Sequence, residues 1–135
     1  SVSTGRAAAI TNLKKLTEVF GVEWAAHNIM PQVLELCVHS NYLYRMTAIS
    51  AVAALGGAVG RDSIKGLLPA VVQASKDPVP NCRFNASKAL QALAPFMEGS
   101  AVDRQIRPAL QSLTGDEDPD VQFFARSALT QLKAL

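Results

Sequence analysis

The feature that most constrains the fold is a pattern that returns four times along the chain. Taking Arg83 as origin, the matching positions are Arg6, Arg45 and Gln122, separated by 39, 38 and 39 residues. Three residues beyond each origin stands Ala9, Ala48, Ala86 or Ala125; seven beyond stands Leu13, Val52, Leu90 or Leu129; ten beyond stands Leu16, Leu55, Leu93 or Leu132. Offsets of three, seven and ten bring side chains to one face of a helix. A second register shares the period: Pro31, Pro69 and Pro108 each lie fourteen residues before an origin, inside an apolar run. Between the two registers lies a turn, written most fully as Asp77-Pro78-Val79-Pro80, whose second proline fits the first turn of a new helix.

Two helical segments per 38 to 39 residues predict an all-α superhelix, an alpha-solenoid of HEAT or armadillo type. The proline in the first helix and the Asp-Pro turn before the second favour HEAT. About three and a half repeats are expected in one domain over 1–135: a second helix at 3–20, then full repeats at 22–60, 61–98 and 100–135. Because the first helix lacks a partner from its own unit, further repeats are expected upstream, and the chain reads as a fragment. On helix 3–20, Ala8, Ala9, Leu13, Leu16 and Phe20 form the expected apolar side. Pro31 is expected to bend its helix near His27 or Asn28, and Gly56, Gly57 and Gly60 to fray the end of helix 42–59. Tyr44, Cys82 and Val121, each just before an origin, are expected to point inward.

Composition narrows the function. With 49% apolar residues the 135-residue chain can bury a core, and a net charge of +2 from 13 basic and 11 acidic side chains offers no large field to nucleic acid or to an anionic membrane. The uncharged run Met46 to Gly60 is too short for a bilayer span. Cys37 and Cys82 occupy unrelated repeat positions and do not form a disulfide framework, so the expected setting is reducing: the cytoplasm, with the nucleus also open to it.

Chemistry-bearing constellations are sparse. Asp116-Glu117-Asp118-Pro119-Asp120 begins like a calcium loop, but Val121 stands where the loop needs Gly and Ser127 where it needs Glu, so these carboxylates are expected to cap a helix. Gly56-Gly57-Ala58-Val59-Gly60 closes a helix where a phosphate loop would open one. His27, Cys37, His39 and Cys82 lack the paired spacing of a zinc site. No nucleophile motif is present, no cofactor or small-molecule substrate is expected, and a solenoid presents surfaces, not enclosed pockets. What stands out is the series of within-unit turns: Tyr42, Leu43 and Tyr44, then Val79 and Pro80, then Pro119 and Val121, with Arg45 and Arg83 beside them. Exposed apolar, aromatic and Arg residues along one ridge have the composition of a protein interface; an Arg at the origin also ties adjacent turns together.

The strings Thr11-Asn-Leu-Lys-Lys-Leu16, Glu23-Trp-Ala25, Asn41-Tyr-Leu-Tyr-Arg-Met-Thr47 and Asp77-Pro-Val-Pro-Asn-Cys-Arg-Phe-Asn85 resemble the last repeats of the scaffolding A subunits of type 2A serine/threonine protein phosphatases, and the likeness runs over essentially all 135 residues. It implies a non-catalytic piece of a horseshoe of fifteen HEAT repeats, beginning at the second helix of the twelfth. Upstream repeats would hold a regulatory B-type subunit, and the turns of this part the catalytic subunit. Carried over by motif, the contact residues would be Tyr42, Arg45, Met46, Val79, Asn81, Arg83, Asp120 and Val121. Val2-Ser3-Thr4-Gly5 departs from the family's aromatic-bearing first turn. The alternative reading is a HEAT adaptor of another class, such as a transport or chromosome scaffold.

Overall fold

The computed structural model describes residues 2–133, with side chains from Gly5 onward; Ser1, Ala134 and Leu135, at the outer limits of the expected domain, lie outside the described residues, as do the side chains of Val2, Ser3 and Thr4. The chain is all-α, and its helices are α1 (Val2–Phe20), α2 (Val22–Asn28), α3 (Met30–Cys37), α4 (Tyr42–Leu55), α5 (Arg61–Ala74), α6 (Pro80–Leu93), α7 (Gly99–Ala101), α8 (Arg107–Leu113) and α9 (Pro119–Lys133). Short 3-10 turns follow α4 at Gly56–Val59 and α6 at Ala94–Phe96.

The helices form two layers. In one, α1 packs on α4, α4 on α6 and α6 on α9; in the other, α3 packs on α5, and α3, α5 and α8 each pair with the following member of the first layer. This is a solenoid in which each unit leans on its neighbours. The repeated columns make the seam: Ala48, Ala86 and Ala125, then Val52 and Leu90, then Leu55, Leu93 and Leu132 are all buried. Small residues in the first column let helices approach, and the branched residues behind them meet Ile64, Leu67, Leu68, Ile106 and Leu110 of the other layer.

Helix α1 departs from the expected pattern. Of its apolar side only Leu13 is half-buried; Ala8, Ala9, Leu16 and Phe20 are exposed, while Thr17 is buried with its hydroxyl donating to the Leu13 carbonyl at 2.9 Å. α2, α4 and the 3-10 turn cover one flank of this helix, and the other columns of α1 have no layer to enter.

Three prolines at one repeat position have three local outcomes. At Pro31 the helix is interrupted: α2 ends at Asn28, Ile29 takes φ −108°, and Pro31 sits in the first turn of α3. At Pro69 the helix α5 runs on without interruption. Before Pro108 the chain widens into a π turn at Val102–Ile106, a form that accommodates a missing amide within a helix.

The glycines after α4 build a turn instead of fraying. Gly56 and Gly60 have φ +44° and +83°, conformations that favour glycine, and Val59 between them is 1% exposed. A Cβ on Gly57 would fall 2.5 Å from the Phe96 ring of the next inter-unit turn. With this turn the apolar segment Tyr42–Val59 reaches 18 residues, long and apolar enough by composition to cross a membrane. Six of its side chains, Ala48, Ile49, Ala51, Val52, Leu55 and Val59, are buried against neighbouring helices, as in the core helix of a globular unit.

Candidate partner-docking ridge

The turns joining the two layers lie at 38–41, 75–79 and 114–118, and side chains at repeat positions bind them into one edge. Each turn is first braced from within by a side chain. Asp77 accepts from the Val79 amide at 2.9 Å, Asp116 from the Asp118 amide at 2.9 Å, and at the equivalent place His39 Nδ1 accepts from the Asn41 amide at 2.9 Å. Asn41 and Asp118 then cap α4 and α9 themselves, accepting from Leu43 at 2.9 Å and from Asp120 and Val121 at 2.9 and 3.1 Å. The carboxylates of Asp116 and Asp118 are therefore spent on backbone amides and, at Asp116, on arginine. Among the described residues no three His, Cys, Asp or Glu side chains converge as a metal would require.

Two of the origin arginines, Arg45 and Arg83, then join their own turn to the next. Arg45 donates from Nη1 to the His39 and Ser40 carbonyls at 2.9 and 3.0 Å, and through Nε and Nη2 to both carboxylate oxygens of Asp77 at 2.8 and 3.2 Å. Arg83 repeats this one unit on, reaching the Asp77 and Pro78 carbonyls at 2.8 and 3.1 Å and Asp116 at 2.7 and 3.0 Å. Gln122, the origin of the last unit, donates its side-chain amide to the Asp116 carbonyl. The planar fork of arginine permits four such bonds at once. Burial alone would raise the Asp77 and Asp116 carboxyls, but the hydrogen bonds from Arg45 or Arg83 and from the turn amides outweigh it, and both are held below the usual carboxylate range. The partner arginines are pushed further up, first by the carboxylate hydrogen bond, against their own desolvation.

This geometry redistributes the residues that the resemblance offers as contacts. Arg45 and Arg83 retain only 18% and 10% side-chain exposure and are occupied by the ladder. Val121 is fully buried, packed with Leu113 and Ala125, so its side chain is closed to a partner. Met46 and Val79 are half-buried; Tyr42, Asn81 and Asp120 are exposed. Cys82 and Val121 point inward as expected, whereas Tyr44 does not: it is 51% exposed and lies edge-on to the His39 ring at 4.5 Å. The phenol ring is much larger than the thiol and isopropyl groups buried at the equivalent positions.

Sequence reasoning missed Val38, 76% exposed beside the Tyr42–Leu43–Tyr44 cluster, and Phe123, 75% exposed on α9. Val38 belongs to no repeated column; Phe123 shares one with Ala7, Met46 and Phe84, apolar in every unit, whose exposure on α9 the spacing does not encode. Sequence reasoning also missed the carboxylate half of the ladder, although Asp77 and Asp116 stand 32 and 33 residues beyond Arg45 and Arg83. Away from the ridge, Phe84 and Phe124 meet edge-on at 5.5 Å across α6 and α9, with Lys88 Nζ 4.9 Å above Phe84. A concavity of about 400 Å³ is an open groove lined by Pro95, Met97, Val102, Asp103, Arg107 and Leu132 at the edge of the inter-unit turns. Cys37 is half-buried and Cys82 buried, both as free thiols; burial pushes Cys37 up to about 11.

Comparison with known proteins agrees with this architecture. Residues 67–97, spanning most of α5, the Asp77 turn and α6, match the HEAT repeat. The chain is 34% identical over 131 residues to the protein phosphatase PP2A regulatory A subunit of Saccharomyces cerevisiae, covering 90% of this chain and 21% of that protein. It is 47% identical over 74 residues to the protein of the same name from Schizosaccharomyces pombe, covering 54% of this chain and 12% of that protein. It is 47% identical over 58 residues to the serine/threonine-protein phosphatase PP2A 65 kDa regulatory subunit of Drosophila melanogaster, covering 43% of this chain and 10% of that protein. The chain thus spans about a fifth of the length of the first of these relatives, all of which are named for a regulatory and not a catalytic component. With its helical solenoid and its Arg–Asp turns, this chain belongs to the HEAT-repeat family of phosphatase 2A regulatory A subunits.

Proposed function

We propose that this chain is part of the non-catalytic scaffold of a phosphatase 2A-type holoenzyme and that its ridge of intra-repeat turns docks the catalytic subunit. The observation that carries the reading is the cluster at the first turn. Val38, Tyr42, Leu43 and Tyr44 stand 76, 42, 45 and 51% exposed on a rigid, capped turn, with Val79, Asn81 and Asp120 along the same edge. Aromatic and aliphatic side chains held on rigid backbone are the usual anchors of a protein interface. In this reading a regulatory B-type subunit is held by repeats beyond this chain, and neither nucleic acid nor a membrane is a partner.

The ladder changes which residues test the idea. Arg45→Glu sets a carboxylate against Asp77 and two carbonyls, so lost binding would be confounded with lost structure. Tyr42→Asp with Val79→Asp is cleaner, because both positions flank helix N-termini, where a carboxylate is tolerated or favourable. Titration of a purified phosphatase 2A catalytic subunit onto parent and double variant should show binding weakened at least about thirtyfold, the loss of one interface anchor of about 2 kcal/mol. Circular dichroism should be unchanged. Equal affinities would overturn the ridge assignment. Capture of a transport receptor or chromosome component, with no binding to the phosphatase, would support the HEAT adaptor reading instead.

A further inference from the structure

The ion pairs of this stack leave two neighbouring cations over. Lys76 and Arg104 each stand beside a carboxylate in sequence, and each time that carboxylate is engaged by another residue: Asp77 by Arg45 at 2.8 Å, Asp103 by Arg107 at 3.3 Å. Among the described residues neither Lys76 nor Arg104 forms an ion pair, and both are exposed. Both line one groove of about 270 Å³ between α5 and α8. One wall is Val72 with Lys76, from α5 and the turn after it; the other is Arg104, Gln105, Pro108 and Ala109, at spacings that share one helix face. Among the described residues no carboxylate and no aromatic ring lines this groove.

We propose that the α5–α8 groove binds an extended acidic peptide segment of a partner protein, with its carboxylates against Lys76 and Arg104. The two cations, one from each wall, have no counter-charge, so an anionic segment is attracted without displacing an existing partner. Val72, Pro108 and Ala109 give the walls an apolar share that suits the aliphatic parts of a peptide and offers nothing to a free inorganic anion. Gln105 presents both a donor and an acceptor to a peptide backbone. A nucleic-acid strand is poorly matched, because its bases find no ring to stack on. Lys76 also lines the next groove of the same layer, about 210 Å³ between α3 and α5, where Ala70, Ala74 and Pro78 supply apolar wall for a second residue of the segment. Neither cation belongs to the ridge cluster of Val38, Tyr42, Leu43 and Tyr44, so the proposal stands apart from the docking of a catalytic subunit.

Fluorescence anisotropy of the full chain with a labelled peptide tests this. The probe is fluorescein-Gly-Leu-Ser-Glu-Glu-Asp-Glu-Gly, and its counterpart carries Gln and Asn in place of Glu and Asp. The acidic probe should bind at least about tenfold tighter than the neutral one, and the difference should shrink as salt rises from about 0.05 to 0.5 M. Lys76→Gln and Arg104→Gln should each weaken it about two- to fivefold, the range of a part-exposed charge pair, and the double variant by about the product. Lys14→Gln with Lys15→Gln removes the same net charge from exposed positions on α1 and should leave the acidic probe bound as in the parent. Tyr42→Asp at the ridge should do the same, which separates a failure here from a failure of the ridge. No binding of the acidic probe, equal binding of the neutral one, or a loss in the α1 or Tyr42 variants that matches the groove variants would each overturn the proposal.

Discussion

At the scale of single residues, the arginine–aspartate pair holds two jobs in one motif. A solenoid unit must brace the turn that leads into its second helix and must fix its angle to the next unit. Asp77 and Asp116 do the first with one oxygen toward a backbone amide and share in the second by receiving the arginine of the unit before. The consequence for pH follows from the depressed carboxyls. Their folded values lie below the unfolded value of about 3.9, so the unfolded chain binds the proton more tightly. The stabilisation is therefore complete above about pH 4 and is lost as pH falls through the lower folded values. In urea titrations from pH 7 to 2, parent stability should drop on the acid side of pH 4, and Asp77→Asn with Asp116→Asn should start lower at pH 7 and lose less across the acid range. An identical acid limb in parent and variant would mean that other carboxylates carry it.

At the scale of elements, the inward columns were legible because burial repeats with the period. Ala86, Leu90 and Leu93 are each 0% exposed, and the sequence places them at offsets three, seven and ten. Leu90→Ala should cost about 2 to 5 kcal/mol by leaving a cavity in the seam. Local exchange should rise most in α6 and its neighbours α4 and α9; a melting profile matching the parent would contradict the inward assignment. Some features that break the period were illegible for definite reasons. Pro31, Pro69 and Pro108 share a register; the break after Asn28 was readable from Pro31, whereas the uninterrupted α5 at Pro69 and the π turn before Pro108 were not, because spacing does not distinguish the three. Tyr44 occupies a position that is internal in the other two turns, where the side chains are the smaller Cys82 and Val121. Of the candidate contacts, Tyr42, Asn81 and Asp120 were readable as exposed turn residues, and the inward Val121 and the turn-tying role of Arg45 and Arg83 were readable from their places at or just before the origin; what the sequence reading lacked was the carboxylate partner in the adjacent unit.

At the scale of the whole molecule, stability is distributed along the stack. Each unit gains from two neighbours, so a helix covered on one flank is the least secured. Here that helix is α1, and its end exposes Leu16, Val19 and Phe20, with Val22 beyond the turn, at 42, 77, 58 and 48%. Phe20 lies 5.0 Å from the half-buried Trp24, so the patch continues from α1 onto α2. Contiguous apolar surface of a few hundred Å² promotes association in water. The 135-residue chain should therefore show weak, concentration-dependent self-association by sedimentation, strengthened by salts that favour apolar burial. Val19→Glu with Phe20→Lys should remove it without loss of helicity, because both side chains face solvent in the single chain. A parent that stays monomeric at all concentrations, or a variant that associates as strongly, would show that this patch is not the contact surface. The measurement also separates self-association from opening of α1, since opening exposes the same side chains without depending on protein concentration.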